Sequence, residues 1–217
     1  MNRLKGLAGY LSGSIDFSKD MGCQWRNQIT PFLEKMGVKV FNPLKHSFYG
    51  TQDLDDKKRP RMAKLLEEGK FEELRKETKD LNHWDLRCVD LSSFLIVNYD
   101  IDIFTCGTHE EIFKANTQVK PVLLMIGKNQ SKKMPKWMYG RFPPEHMFES
   151  WDKMKKYLKD IDSNPDYKFT EADRKRWLFF DWTLETNTLS DYAKSKVIKV
   201  IEQLDNKNDV NLLRKLL

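Results

Sequence analysis

Leu7-Ala8-Gly9-Tyr10-Leu11-Ser12 is a short apolar run that stops at Gly13-Ser14, and the segment from there to Phe41 decides the fold. Trp25, Ile29, Phe32, Leu33 and Met36 recur at the spacing of one helical face, and Gly37 ends the pattern. Val38-Lys39-Val40-Phe41 then forms a second extended run, closed by Asn42-Pro43. Two strands joined through a helix run parallel, so the opening is a βαβ unit. Phe94-Leu95-Ile96-Val97-Asn98-Tyr99 is the clearest buried strand downstream. A loop from Asp100 to Gly107 leads from it into a helix expected to begin at Thr108. Lys120-Pro121-Val122-Leu123-Leu124-Met125-Ile126 reads as a fourth strand with its proline near the start, and Met147-Phe148-Glu149 as a short last one. The pattern predicts an α/β, Rossmann-like domain with about five parallel strands and flanking helices.

Between these strands the chain is polar. Residues 45 to about 60 are irregular, and Arg61 to about Leu91 is helical in composition with a break near Gly69. Glu67, Glu68, Glu72 and Glu73 set against Lys70, Arg75, Lys76 and Lys79 describe a solvent-facing helix laced with ion pairs. Ser150 is placed to cap a helix running to about Lys159. From Thr170 onward the pattern is helical, with apolar positions at Ile198, Ile201, Leu204, Leu212, Leu213 and Leu216. The expected organisation is an α/β domain over residues 1–165, with a helical insertion at about 45–84, and a C-terminal helical extension over 166–217.

Composition narrows the function classes. The chain has 217 residues, 40% hydrophobic and 32% charged, as for a globular protein with a well-solvated surface. The 38 Lys and Arg against 32 Asp and Glu give +6, a modest excess whose cations alternate with acids along most of the chain, so nucleic acid is not an expected partner. No stretch approaches the roughly 18 apolar residues of a membrane span, and the amino-terminal apolar run is too short for a secretory signal. Cys23, Cys88 and Cys106 are odd in number and show no metal-type spacing, and the four histidines are dispersed, so no metal is expected. Neither a dinucleotide fingerprint nor a Walker loop is present, which leaves no cofactor implied. A reducing cytoplasm fits these features best.

The stretch richest in chemistry is Cys106-Gly107-Thr108-His109-Glu110-Glu111, between a buried strand and a helix. Ligands of open α/β sheets bind beyond the carboxyl ends of strands, where such loops lie. Gly107 permits a close backbone approach, Thr108 is placed to cap the helix, and Glu111 then falls in its first turn, where exposed amides favour an ionised carboxylate. The same letters also spell a capping box in which Glu111 merely satisfies its cap residue's amide. Asp85-Leu86-Arg87-Cys88-Val89-Asp90 is a second cluster; five residues apart, its two aspartates do not share a helix face well, so one is placed to reach a site while the other caps or pairs, and pairing with Arg87 or another surface cation is an equal reading. Tyr10-Leu11-Ser12-Gly13-Ser14-Ile15-Asp16 at the first strand's end is suited to a pocket floor. The loop Lys132-Lys133-Met134-Pro135-Lys136-Trp137-Met138-Tyr139-Gly140-Arg141 has the make-up of a base-stacking surface, or of a loop whose Trp137 packs onto the domain, and the second reading is preferred.

In order and spacing, Tyr10-Leu11-Ser12-Gly13, Asp85 to Asp90, Phe94 to Val97, Cys106-Gly107-Thr108-His109-Glu110-Glu111-Ile112 and Lys120 to Leu124 resemble the nucleoside 2-deoxyribosyltransferase family over roughly the first 126 residues. The resemblance implies a flavodoxin-like sheet and exchange of the base of a 2′-deoxynucleoside for a second nucleobase, with Glu111 attacking C1′ and two inversions giving net retention. It implies that Asp85 handles the nucleobase, that Tyr10 positions the nucleophile, and that Gly13 shapes the pocket. Ser14, Asp16, Asp102, Gly107 and Thr108 complete the expected substrate-binding set. A homo-oligomer is implied, because the family tends to complete its site with a neighbouring subunit's residue. This chain departs from the family in carrying Thr105-Cys106 before Gly107, where an aspartate is common; Asp102 is the nearest. A hydrolase of 2′-deoxynucleoside 5′-monophosphates is the nearest alternative. Against it, Asp16 stands where those enzymes carry an arginine, although Lys19 and Arg26 are available to compensate. An NAD-cleaving glycohydrolase on a similar fold, and a non-catalytic nucleotide-binding module, are the other readings.

Overall fold

The structure is a computed structural model that describes residues 2–45, 58–180 and 182. The chain divides into two units, residues 1–178 and 179–217. All the strands and helices named in this section belong to the first. The apolar positions expected from Ile198 to Leu216 lie outside the described residues.

Five strands form one sheet: β1 (Ala8–Gly13), β2 (Lys39–Phe41), β3 (Phe94–Asn98), β4 (Val122–Met125) and β5 (Met147–Phe148). Their order is β2-β1-β3-β4-β5 and every pairing is parallel. The architecture is therefore the five-stranded parallel α/β sheet that the alternating strand and helix patterns predict, and its strand order is flavodoxin-like. β1 and β3 lie side by side over five residues, from Gly9 opposite Phe94 to Gly13 opposite Asn98. Their near-continuous burial is what a strand covered on both faces requires. Gly9 is needed there, because a Cβ at that position would sit 2.9 Å from the Phe94 ring.

Helices α1 (Cys23–Lys35), α2 (Lys58–Glu67), α3 (Phe71–Leu91), α4 (Cys106–Thr117), α5 (Lys136–Tyr139), α6 (Trp151–Ser163) and α7 (Glu171–Arg176) complete the unit. Side chains alternate along a strand, so Tyr10 and Ser12 leave β1 on one side and Leu11 on the other. Tyr10 joins Leu95, Val97, Val122 and Leu124 in a core with Cys88 and Val89 of α3 and Ile112 and Ala115 of α4. α1 and α6 contribute nothing to that cluster and meet through the stacked rings of Trp25 and Trp151, 5.4 Å apart. Lys120 is buried, and its ammonium donates to the carbonyls of Val89 (2.6 Å) and Asp90 (2.7 Å) at the end of α3. Gly69, with φ +67, separates α2 from α3 where the sequence places the break. Outward ion pairs of the expected set are present, among them Arg75–Glu72 and Lys70–Glu68, and Arg61–Glu77 adds another.

Two expectations need correction. α4 begins at Cys106, because the Thr105 side chain, on extended backbone, accepts the Thr108 amide (3.4 Å) and serves as the cap in place of Thr108. In the basic loop, Trp137 is 68% exposed, with Arg141 5.8 Å from its ring centre. Burial there falls to Met134, Met138 and Phe142, whose spacing of four residues carries them inward together.

Candidate active site

In a sheet ordered β2-β1-β3-β4-β5 the strand sequence reverses between β1 and β3, and the loops beyond their carboxyl ends part to leave a crevice. A cleft of about 240 Å³ lies there. Its first wall is the segment after β1, from Gly13 through Ser14, Ile15 and Asp16 to Phe17. Its second is the approach to α4 and its first two turns, with Phe104, Thr105, Cys106, Gly107, Thr108 and Glu111. A third wall comes from the helical insertion: Met62 of α2, and Thr78, Leu81, Asn82 and Asp85 of α3. Residues 78, 81, 82 and 85 follow helical spacing, so one stripe of α3 faces the cleft while its salt-bridged side faces solvent. The rings of Phe17 and Phe104, 70% and 76% exposed, flank the opening. Two larger hollows, of about 330 and 500 Å³, lie away from the carboxyl ends of β1 and β3.

Glu111 is buried at the inner end of the cleft. The Tyr10 hydroxyl donates to its Oε1 at 2.7 Å, and the Ser12 hydroxyl to its Oε2 at 2.5 Å. Both donors come from alternate positions of one strand, and the pleat alone aims them at the same carboxylate. With Thr105 as the cap, Glu111 is the sixth residue of α4, in its second turn rather than its first. Its oxygens are engaged by β1, so the capping-box reading does not describe it. Burial pushes the Glu111 carboxyl above its ordinary value; the hydrogen bonds from Ser12 and Tyr10 and the charge of Arg26 oppose that rise, and Glu110 adds to it. Burial and the nearby Glu111 and Asp85 charges hold the Tyr10 hydroxyl well above its ordinary value, so it remains a donor. The result is a carboxylate desolvated on one side, gripped by two fixed donors and open to a cleft on the other. Such a group is poised either to attack an electrophilic carbon or to stabilise a cation.

The cleft brings together Gly13, Ser14, Asp16, Asp85, Gly107, Thr108 and Glu111, with Tyr10 directly beneath. Asp102 is outside this set: it is exposed, and its amide donates to the Asp100 side chain. The aspartates of the second cluster part as five-residue spacing requires. Asp85 turns into the cleft, while Asp90 pairs with Lys114 (3.1 Å) and Gln118 (2.6 Å). Ser12 and Arg26 are the two site-forming residues whose parts the sequence does not reveal. Arg26 is fully buried, and its guanidinium donates to the carbonyls of Leu11, Met21, Gly22 and Gly13. Those bonds commit it to the loop, so it is not available to hold a phosphate. Among the described residues lining the cleft there is no Lys or Arg, and there are three carboxylates, those of Asp16, Asp85 and Glu111. No three His, Cys, Asp or Glu side chains among the described residues are grouped so as to hold a metal ion, and no described helix is long and apolar enough to cross a membrane.

No protein-family model and no curated protein matches the chain. Among solved structures, the chain is similar in architecture to a 2-deoxyribosyltransferase from the psychrotolerant bacterium Bacillus psychrosaccharolyticus, described as a biocatalyst for the synthesis of antiviral and antitumoral nucleosides. The TM-score is 0.47 and the identity 14%, over 76% of this chain and 95% of that one. This is a likeness of chain path and has no bearing on which side chains act.

Proposed function

We propose that the protein is a nucleoside 2-deoxyribosyltransferase in which Glu111 is the nucleophile. The observation that carries this reading is the buried Glu111 carboxylate, held through both oxygens by Tyr10 and Ser12 at the inner end of a cleft sited at the β1/β3 crevice. A Glu111 oxygen attacks C1′ of a 2′-deoxynucleoside, the C1′–N bond breaks, and its electron pair leaves with the base, which takes up a proton. Asp85, in the wall facing Glu111, is the group suited to carry that proton and to hydrogen-bond the ring. A second base then attacks C1′ from the vacated side, loses its proton, and returns the carboxylate. The pair of inversions retains configuration. Phe17 and Phe104 at the opening offer ring faces to a base entering or leaving.

The acidic lining favours an uncharged nucleoside over its 5′-monophosphate, because three carboxylates and no cation among the described lining residues make the cleft repel phosphate. The test is incubation with thymidine and free adenine, with thymidine alone, and with deoxynucleoside monophosphates, and separation of the products by chromatography. Deoxyadenosine formed from thymidine and adenine, and lost in Glu111→Gln, is the expected result. Base release without exchange moves the assignment to a hydrolase. No turnover across a broad panel of nucleosides and nucleotides overturns the reading.

A further inference from the structure

We propose that Arg26 is a positioning residue for this reaction: it clamps the end of β1 on both sides of Ser12, and so stands a buried positive charge behind the Ser12–Glu111 hydrogen bond. The inference rests on the reading of Glu111 as nucleophile. Its geometric basis is the way the guanidinium distributes its donors. Nε donates to Leu11 O at 3.3 Å and Nη2 to Gly13 O at 2.9 Å, the two carbonyls that flank Ser12. Nη1 donates to Gly22 O at 3.1 Å and Met21 O at 3.4 Å, at the far end of the loop that forms the first wall of the cleft. One side chain thus ties the strand end that aims Ser12 at Glu111 to the loop that bounds the substrate space.

A buried arginine bonded only to carbonyls is costly, because no contacting carboxylate offsets the charge it carries out of water. Its ring neighbour, Trp25, lies 4.5 Å from the guanidinium carbon and offers a π face rather than an anion. If the role were only to hold a loop, a neutral donor would avoid that cost. A cation is worth keeping there if the charge acts on something. The groups that act electrostatically on Glu111 are Tyr10 and Ser12 from β1, Arg26 from α1, Cys88 from α3 and Glu110 from its own helix, with the Asp85 carboxylate of α3 across the cleft. Arg26 is the cation of that set. Burial brings the Arg26 guanidinium down to about 10, with Tyr10, Glu111, Cys23 and Asp85 working the other way, so it stays charged at neutral pH.

The experiment tracks the Glu111 carboxyl directly by 13C NMR titration, with the resonance assigned from its absence in Glu111→Gln, in the native protein, Arg26→Gln and Arg26→Lys. The pH profile of kcat/KM is measured alongside. With the charge removed in Arg26→Gln, Glu111 is expected to titrate at higher pH, and the acid limb of kcat/KM to move with it, losing about tenfold or more at a pH on that limb. Arg26→Lys keeps the charge but not the fork, so the titration stays near native while the plateau of kcat/KM falls about tenfold. An unchanged Glu111 titration in Arg26→Gln overturns the electrostatic part, and an unchanged plateau in Arg26→Lys overturns the clamp. Should Arg26→Gln fail to fold, the Arg26→Lys titration and plateau decide the clamp. A Glu111 titration displaced in Arg26→Lys as well overturns the assignment of the effect to charge. The titration needs no turnover, so a protein inactive on every nucleoside refutes the nucleophile reading while the Arg26–Glu111 coupling is judged separately.

Discussion

Removing the Tyr10 hydroxyl tests the central contact without changing the shape of the core. In Tyr10→Phe the ring still fills its fully buried place, and only the 2.7 Å bond to Glu111 Oε1 is lost. A hydrogen bond to a charged group contributes about 1.5–3 kcal/mol, and with Ser12 still donating to Oε2 a loss of about 2 kcal/mol is reasonable. That loss falls on the ionised form of Glu111, so its size depends on pH. Glu111 titrates above its ordinary value because burial disfavours the charge. A raised acid contributes stability that is fully present below the unfolded value of 4.5 and is lost as pH rises through the folded value. Tyr10→Phe raises the folded value further. The difference in unfolding free energy between native and variant should therefore be small at pH 4 and grow to about 2 kcal/mol at pH values where both carry an ionised Glu111. Urea unfolding at a series of pH values measures this, and kcat/KM on the acid limb should fall about thirtyfold in parallel. A stability difference that stays constant from pH 4 to pH 8 refutes the reasoning.

Asp173 offers the opposite sign. Burial works to raise its carboxyl, but hydrogen bonds from His146, Tyr157 and the Thr170 amide outweigh it and bring the value from 3.8 down to about 2. This tie between α7 and α6 contributes about 2 kcal/mol above pH 3.8 and loses it as pH falls through 2. Asp173→Asn should lower the unfolding free energy by at least that much at pH 7, with the gap closing under acid, as pH-dependent urea unfolding will report. Gly22→Ala should lower the melting temperature by several degrees and reduce kcat/KM. Its φ is +69, and a Cβ would sit 2.3 Å from Arg26 Nη1 and 2.9 Å from Ser14 O. Scanning calorimetry and steady-state kinetics check the pair. Asp16→Asn should improve kcat/KM for a deoxynucleoside monophosphate relative to the nucleoside, with the gain shrinking as salt is added.

The sheet was legible because each of the first four strands is an apolar run with glycine, proline or asparagine at one end or both, and because the helical pattern between the first two runs dictates parallel pairing. Glu111 stands out in the sequence through the family resemblance and its place after Gly107, at the start of a helix that follows a buried strand, while locally it reads as well as a capping-box acid. What escaped depends on side chains meeting across distant segments. Ser12 reads as the last residue of a strand beside a pocket floor, and only the pleat shows it sharing a face with Tyr10 and bonding Glu111. Arg26 reads as a cation available to a phosphate, since nothing local announces that four carbonyls converge on it. The charge pattern of α3 describes its outer face correctly and hides the stripe from Thr78 to Asp85 that walls the cleft. The start of α4 was displaced because Thr105 and Thr108 are both competent caps, and only backbone geometry chooses between them.

A nucleophilic Glu111 must at some point in the cycle be bonded to the sugar. Intact-mass spectrometry after rapid acid quenching of the protein with a 2′-deoxynucleoside, without acceptor base, tests that directly. The prediction is a mass increase of one deoxyribosyl group that maps to the peptide carrying Glu111, is absent in Glu111→Gln, and disappears when a second base is added. No adduct under turnover conditions, or an adduct that maps elsewhere or persists in Glu111→Gln, contradicts it.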